Sequence, residues 1–231
     1  MKRVLSSMVT AVSLVLASSV FSFALAEGVP APDAEKGKEL YTNGDMSRGI
    51  LSCASCHGDA GNSTMSANPN LAAMPHEYIS KQLLDFVKEE GNDHAARRGA
   101  DGADSIMTPF ATALTEEDRL NLAYYLAQQE LDSSVAAKAT NEDTIERGQE
   151  IWRGGIPERR VPACAACHSA NGAGIPGEYP RLAGQFPEYI AEQLKLFRSG
   201  DRANNEMMAD IADRMSDSDI AAVSDYAAGL R

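Results

Sequence analysis

Aromatic residues are scarce in this chain, at 6 % with a single tryptophan, so no large aromatic core can be assembled from them. Cysteine is limited to four residues and histidine to four. So few cysteines exclude a disulfide-dense scaffold, in which cysteine exceeds roughly 8 % of a short chain. Basic residues are outnumbered, 21 Lys and Arg against 33 Asp and Glu, for a net charge of −12. That balance excludes a nucleic-acid partner, because gripping phosphates needs the opposite sign. After Leu25 no apolar run is long enough to cross a bilayer.

The one long apolar run opens the chain. Lys2 and Arg3 precede Val4 to Leu25, which is apolar apart from Ser and Thr, and Ala24-Leu25-Ala26 has a small-x-small pattern. This is the layout of a secretory signal peptide, residues 1–26, cleaved after Ala26. An uncleaved anchor is the competing reading, since the run approaches a bilayer span. Export also places the four cysteines where two disulfides would be the default. Their spacing argues otherwise, because they fall as two pairs, each followed directly by a histidine.

The two halves superpose at a constant shift of 111 positions. Gly37 and Tyr41 fall on Gly148 and Trp152, Cys53, Cys56 and His57 on Cys164, Cys167 and His168, and Pro69 and Leu71 on Pro180 and Leu182. Tyr78, Gln82 and Phe86 meet Tyr189, Gln193 and Phe197. The shift then drops to 101, because the first half carries about ten extra residues within Glu89 to Ser105. Beyond them Met107, Asp118 and Tyr125 meet Met208, Asp219 and Tyr226. Such a repeat implies two copies of one fold, not a solenoid of many short units. It predicts domains over 27–135 and 136–231, with a small, polar linker near Ser133 to Asn141.

Each half reads as helical. Short helices are expected over Asp33 to Thr42 and Asn141 to Arg153, and amphipathic ones over His76 to Glu89 and Pro187 to Arg198. Thr115-x-x-Asp118 and Ser216-x-x-Asp219 are capping signals for helices running to Gln129 and Leu230. Halves of roughly 100 residues with long loops have too little apolar side-chain volume for a full core. A porphyrin would fill the deficit.

Cys53-Ala54-Ser55-Cys56-His57 and Cys164-Ala165-Ala166-Cys167-His168 have the spacing of c-type haem attachment. Two thiols can form thioethers with the haem vinyl groups while the adjacent imidazole lies beneath the iron. A zinc site would want further Cys or His, and only His76 and His94 remain, both in the first half. A redox dithiol would want a strand before the motif, which the sequence lacks. The repeat nominates the sixth ligand: Met107 lies 50 residues after His57 and Met208 lies 40 after His168, the difference being the insertion. Thioether sulfur favours ferrous iron and raises the potential. Met207 competes with Met208, although Met208 keeps Leu114/Met215 and Asp118/Asp219 aligned. Met46, Met65 and Met74 have no methionine counterpart and read as packing residues.

With these motifs in order the chain resembles the cytochromes c, and the tandem arrangement is similar to the cytochrome c4 family. The resemblance rests on the helix with Gly and an aromatic, Cys-x-x-Cys-His, Pro-x-Leu, the methionine and a last helix bearing tyrosine, and it spans essentially the whole mature chain. It implies an all-α fold of two tandem cytochrome c-like domains, each wrapped around a covalently bound haem, with the two haems facing across a domain interface. It implies that the carbonyls of Pro69 and Pro180 accept the imidazole N–H, and that Gly37 and Gly148 mark close helix crossings. It also implies a periplasmic electron carrier. Its donors would be a membrane-bound quinol-oxidising complex or a small redox protein, its acceptor a haem-copper terminal oxidase or the like, with loose membrane association left open. The rival reading is a dihaem oxidoreductase of the thiosulfate dehydrogenase or peroxidase kind, which needs an open iron position. Two credible methionines and no spare cysteine nucleophile favour the carrier. Charge differs between the halves: 18 acidic and 8 basic residues over 27–135, against 15 and 11 over 136–231.

Overall fold

The computed structural model describes residues Ala31–Arg231. The expected signal peptide and its cleavage site after Ala26 lie outside the described residues. Among the described residues the helices are α1 (Ala34–Asn43), α2 (Ala54–His57), α3 (His76–Asp85), α4 (Thr108–Ala113) and α5 (Glu116–Ala127) in the first half. The second half repeats the order with α6 (Ile145–Gly154), α7 (Ala165–His168), α8 (Pro187–Ser199), α9 (Glu206–Asp213) and α10 (Asp217–Ala228). Isolated bridges are the only β pairing among these residues, so the chain is all-α as expected. None of these helices is long and apolar enough to cross a membrane.

In each half the first and last long helices cross closely, α1 on α5 and α6 on α10. A Cβ on Gly37 would lie 2.1 Å from the Asn121 carbonyl oxygen, and one on Gly148 would lie 2.3 Å from that of Ala222. Only glycine lets the backbones approach this far. Around each crossing sits a separate apolar cluster, Leu40, Tyr41, Ile50, Ile79 and Leu122 in the first half and Ile151, Trp152, Ile156, Ile190 and Ile220 in the second.

Both expected capping boxes form, Thr115 with Asp118 and Ser216 with Asp219. The same carboxylates hold the loop that leads into the cysteine motif. Arg48 reaches Asp118 at 2.6 Å, and its repeat equivalent Arg159 pairs with Asp219. The second half adds Arg147, 2.8 Å from Asp219, whose side chain is only 7 % exposed. Burial pushes the Asp219 carboxyl up, but bonds from Ser216, Arg159 and Arg147 outweigh it and hold the group well below the usual carboxylate range.

Two helix ends depart from the sequence expectation by four residues, each for a visible reason. Helix α3 stops at Asp85 instead of Glu89, because the Asp85 carbonyl accepts the Arg97 N–H at 2.9 Å from the inserted loop. Helix α6 starts at Ile145 instead of Asn141, because the Asp225 carboxylate takes the backbone N–H groups of Thr140 and Asn141 and pins them as a turn. Two methionines expected to pack do not. Met46 lies on a surface turn and Met65 on a loop, 71 % and 51 % exposed, whereas Met74 is buried.

The halves meet along a polar seam. The side chain of Gln185 accepts the Asn70 N–H at 3.0 Å and donates to the Asn70 carbonyl at 2.9 Å, while the Asn70 amide donates to the Gly184 carbonyl. Backbone bonds from Arg98 to Asp201 and from Ala203 to Ala96, both 2.8 Å, join the inserted loop to the loop after α8.

Two outcomes follow from this packing. Gly148→Ala should lower the unfolding free energy by about 1–3 kcal/mol or more, as overpacking does, and denaturant unfolding checks it; an unchanged midpoint would contradict the close crossing. Because the Asp219 pKa is depressed on folding, its stabilisation is present above the unfolded value of about 3.9 and fades as pH falls below it. Asp219→Asn should therefore cost stability at pH 7 and flatten the acid limb below about pH 4, and unfolding curves across that range would show it.

Candidate functional site

Each cysteine motif sits on a single helical turn, α2 or α7, entered from a loop closed by a short bridge, Asp45 to Ile50 or Ile156 to Val161. The N–H groups of His57 and His168 bond the carbonyls of Cys53 and Cys164, both at 2.9 Å. First cysteine and histidine, four residues apart, therefore share a helix face. The turn after each motif is left-handed, through Gly58 in one half and Ser169, at φ 68, in the other. The Ser169 hydroxyl donates to the Gly174 carbonyl at 2.8 Å, which offsets part of that strain.

Both imidazoles are buried and held from behind. His57 Nδ1 is 3.0 Å from the Pro69 carbonyl oxygen, and His168 Nδ1 is 3.1 Å from that of Pro180. A carbonyl only accepts, so Nδ1 carries the proton and Nε2 is left with its lone pair for a ligand. Burial lowers both imidazole pKa values, against the raising effect of the carbonyl, and keeps the rings neutral. The aromatics on α1 and α6 brace the same loops. Tyr41 donates to the Gly58 carbonyl at 2.7 Å and accepts the Gly61 N–H at 3.0 Å, and Trp152 donates to the Ala170 carbonyl at 3.1 Å.

No disulfide joins any of the four cysteines. Burial pushes the Cys53 and Cys164 thiols up to about 11. Thiols of that kind are protonated at neutral pH, the reverse of the low-pKa thiolate of a redox dithiol. Among the described residues no three His, Cys, Asp or Glu side chains are arranged to hold a metal ion, so a zinc site has no ligand set.

What the motifs do border is space. A continuous cavity of about 710 Å³ runs through both halves, lined by Cys53 and His57 from one and by Cys164, Cys167 and His168 from the other. Ordinary cores leave few voids larger than a water molecule. Aliphatic and sulfur-bearing side chains share the cavity wall with aromatic, polar and charged ones, and Met107 and Met208 line it as well. Met107 lies just before α4, its N–H bonded to the Ser105 hydroxyl at 3.2 Å; Met208 lies in the first turn of α9, its N–H bonded to the Asn205 side chain at 2.9 Å. Met208 packs against the second apolar cluster, whereas Met207 also borders the cavity but is 55 % exposed. His76 faces Glu77 on the surface and His94 is exposed; neither borders the cavity. The donor set and a cavity where a packed core would stand fit two porphyrins.

The sequence reading missed one part of this wall. Arg97 and Arg202 are buried at the seam with Gln82 and Gln193 and border the cavity. The signal was available in the glutamines, polar residues at equivalent repeat positions on otherwise apolar helix faces.

Comparison with known proteins agrees with this geometry. The cytochrome c family profile matches residues 34–130 and 145–230, one match in each half. A cytochrome c4 of Thiocapsa roseopersicina is 40 % identical over 77 % of this chain and 86 % of its own. A protein of Stutzerimonas stutzeri described as a thiosulfate dehydrogenase electron acceptor is 35 % identical over 85 % of this chain and 87 % of its own. The crystal structure of reduced recombinant cytochrome c4 from Pseudomonas stutzeri superposes with a TM-score of 0.72 at 31 % identity, covering 87 % of this chain and all of that one. With a Cys-x-x-Cys-His motif in each of two cytochrome c units, both bordering one shared cavity, the chain belongs to the cytochrome c4 family and is a dihaem electron-transfer protein with two covalently bound haem c groups.

Proposed function

We propose that this chain is an exported, periplasmic electron carrier with two six-coordinate haems, its domains spanning residues 27–135 and 136–231 after removal of residues 1–26. Cys53 and Cys56 hold one haem and Cys164 and Cys167 the other, with His57 and Met107 as one axial pair and His168 and Met208 as the second. Once bound, each haem supplies a one-electron ferric/ferrous couple.

The observation that carries this reading is the repeat of a neutral imidazole and a methionine bordering the same cavity in both halves. The carbonyls of Pro69 and Pro180 fix the ring orientation, and such outer bonds raise ligand basicity. Methionine sulfur stabilises the ferrous state and so raises the potential. A methionine available to each half therefore supports a carrier over a dihaem oxidoreductase. The domain boundary is supported by the linker: Ala136 is buried, and the Ala137 N–H bonds the Gly184 carbonyl of the second half at 3.0 Å.

The partners we propose are a membrane-bound quinol-oxidising complex or a small redox protein as donor and a haem-copper oxidase or similar acceptor. The Stutzerimonas stutzeri relative described as an electron acceptor for thiosulfate dehydrogenase adds an enzyme of that kind to the proposed donors. The first domain carries the larger acidic excess and is assigned the more basic partner.

Replacement of the sulfur ligand tests the assignment. Met107→Leu and Met208→Leu should each convert one of the two haems to a form that binds added imidazole or cyanide, while Met207→Leu leaves both closed. Ligand binding by the unaltered protein, or by Met207→Leu in place of Met208→Leu, would contradict the assignment. Electron-transfer rates with a basic redox protein should fall severalfold as salt rises from 0.01 to about 0.15 M, where screening shortens the Debye length from about 30 to 8 Å; stopped-flow rates independent of salt would remove the charge argument.

A further inference from the structure

Gln185, in the loop before α8, reaches out of the second half and grips one residue of the first. Its Oε1 accepts the Asn70 N–H at 3.0 Å, and its Nε2 donates to the Asn70 carbonyl at 2.9 Å. The same Oε1 accepts the Phe186 N–H at 3.1 Å, which steadies the glutamine against its own backbone. The Asn70 side chain closes the joint: its amide donates to the Gly184 carbonyl at 3.2 Å and its Oδ1 accepts the Ser63 N–H at 2.8 Å. Asn70 and Gln185 are each 2 % exposed. Bonds this deeply buried are strong, and losing one strands a polar group.

Asn70 follows Pro69 directly. The Asn70 N–H that Gln185 accepts and the Pro69 carbonyl that faces His57 Nδ1 at 3.0 Å are therefore the two ends of a single peptide group. That group is planar and rigid, so holding its N–H sets where its carbonyl points. Hydrogen bonds in series also polarise one another. A glutamine oxygen on the N–H makes the carbonyl a better acceptor, and a better acceptor makes the imidazole a more basic ligand.

The repeat gives the second half no such grip in return. Pro180 is followed by Arg181, and among the described residues nothing accepts the Arg181 N–H. The position equivalent to Gln185 in the first half is Met74, which carries no amide and is buried in its own apolar cluster. The neighbouring position differs too. Gly184 has φ 76, and a Cβ there would lie 2.5 Å from Leu131, whereas Ala73 holds the equivalent left-handed turn with a side chain in place. Only the second loop is shaped for contact with the other half.

We propose that Gln185 is a positioning residue for His57: through the Pro69–Asn70 peptide the second half sets the orientation and basicity of the first half's imidazole, while His168 is held by its own half alone. This rests on the reading of His57 and His168 as iron ligands.

The test uses holoprotein carrying Gln185→Met, which places the first half's residue at this position and removes both bonds to Asn70. Proton spectra of the oxidised parent come first. A parent without an imidazole on each iron would strike at the ligand reading, not at the grip. The methionine signal that Met107→Leu abolishes identifies the first haem. In Gln185→Met the methyl shifts of that haem, which follow the plane of the imidazole, should change, and its midpoint potential should rise because a less basic imidazole stabilises ferric iron less. The second haem should keep the parent's shifts and potential. Equal changes in both haems, a first haem unaltered, or a fall in its potential would overturn the proposal. Asp201→Asn separates this from a general loosening, because it removes the ion pair with Arg98 between the halves, 3.1 Å, and touches neither proline loop. It should leave the first haem's methyl shifts as in the parent; the same changes as in Gln185→Met would overturn the assignment. If Gln185→Met yields no holoprotein, Gln185→Asn, one methylene shorter, is read in the same way, and the first haem alone must respond.

Discussion

The bond between each buried imidazole and a proline carbonyl twelve residues further on is the constraint around which each half is organised. It fixes the tautomer, turns Nε2 to the cavity, and joins the motif helix to the Pro-x-Leu loop. The loop is then locked by Gly61 or Gly172, whose carbonyl takes the N–H groups of Leu71 and Ala72 or of Leu182 and Ala183. Behind it, Tyr41 or Trp152 ties the same loop to the first helix, and Arg48 or Arg159 ties the entrance of the motif to the last helix. Side chains alone could not supply this organisation, because each half has only a small apolar cluster and the centre is left to the cofactor.

The two copies are equivalent at the motif and unequal around it. Asp219 answers two arginines and is nearly buried, while Asp118 answers one and is more exposed. The prolines Pro157, Pro162 and Pro176 stand in the second half where the first has Met46, Leu51 and Met65, all largely exposed. The first half thus offers a more acidic and more apolar exterior, the second one with more arginine. Such a division suits a carrier whose two ends meet different proteins, since charge complementarity governs encounter more than affinity.

Much of this was legible in the residues. The shift of 111 paired the two motifs and the shift of 101 the two capping boxes, because both depend on chemistry local to a few neighbouring positions, while the glycine crossings came from the family resemblance. Helix ends at Asp85 and Ile145 were not legible, because the groups that set them, Arg97 N–H and the Asp225 carboxylate, come from distant segments. The exposure of Met46 and Met65 was hidden for a related reason: methionine serves cores and surfaces alike, and composition does not say which. Arg97 was the largest omission. An insertion interrupts the repeat there, and a charged residue in a Gly-rich loop reads as solvated until the partner half is laid against it.

The account stands on thioether capture of two porphyrins by four sulfurs, and the mass of the intact protein reads this directly. Holoprotein made in a host competent for cytochrome c maturation should weigh its polypeptide plus two haems, survive denaturation with that mass unchanged, and contain no thiol that alkylates. A denatured chain that sheds its colour, or one in which Cys53, Cys56, Cys164 and Cys167 all accept an alkylating reagent, would contradict it.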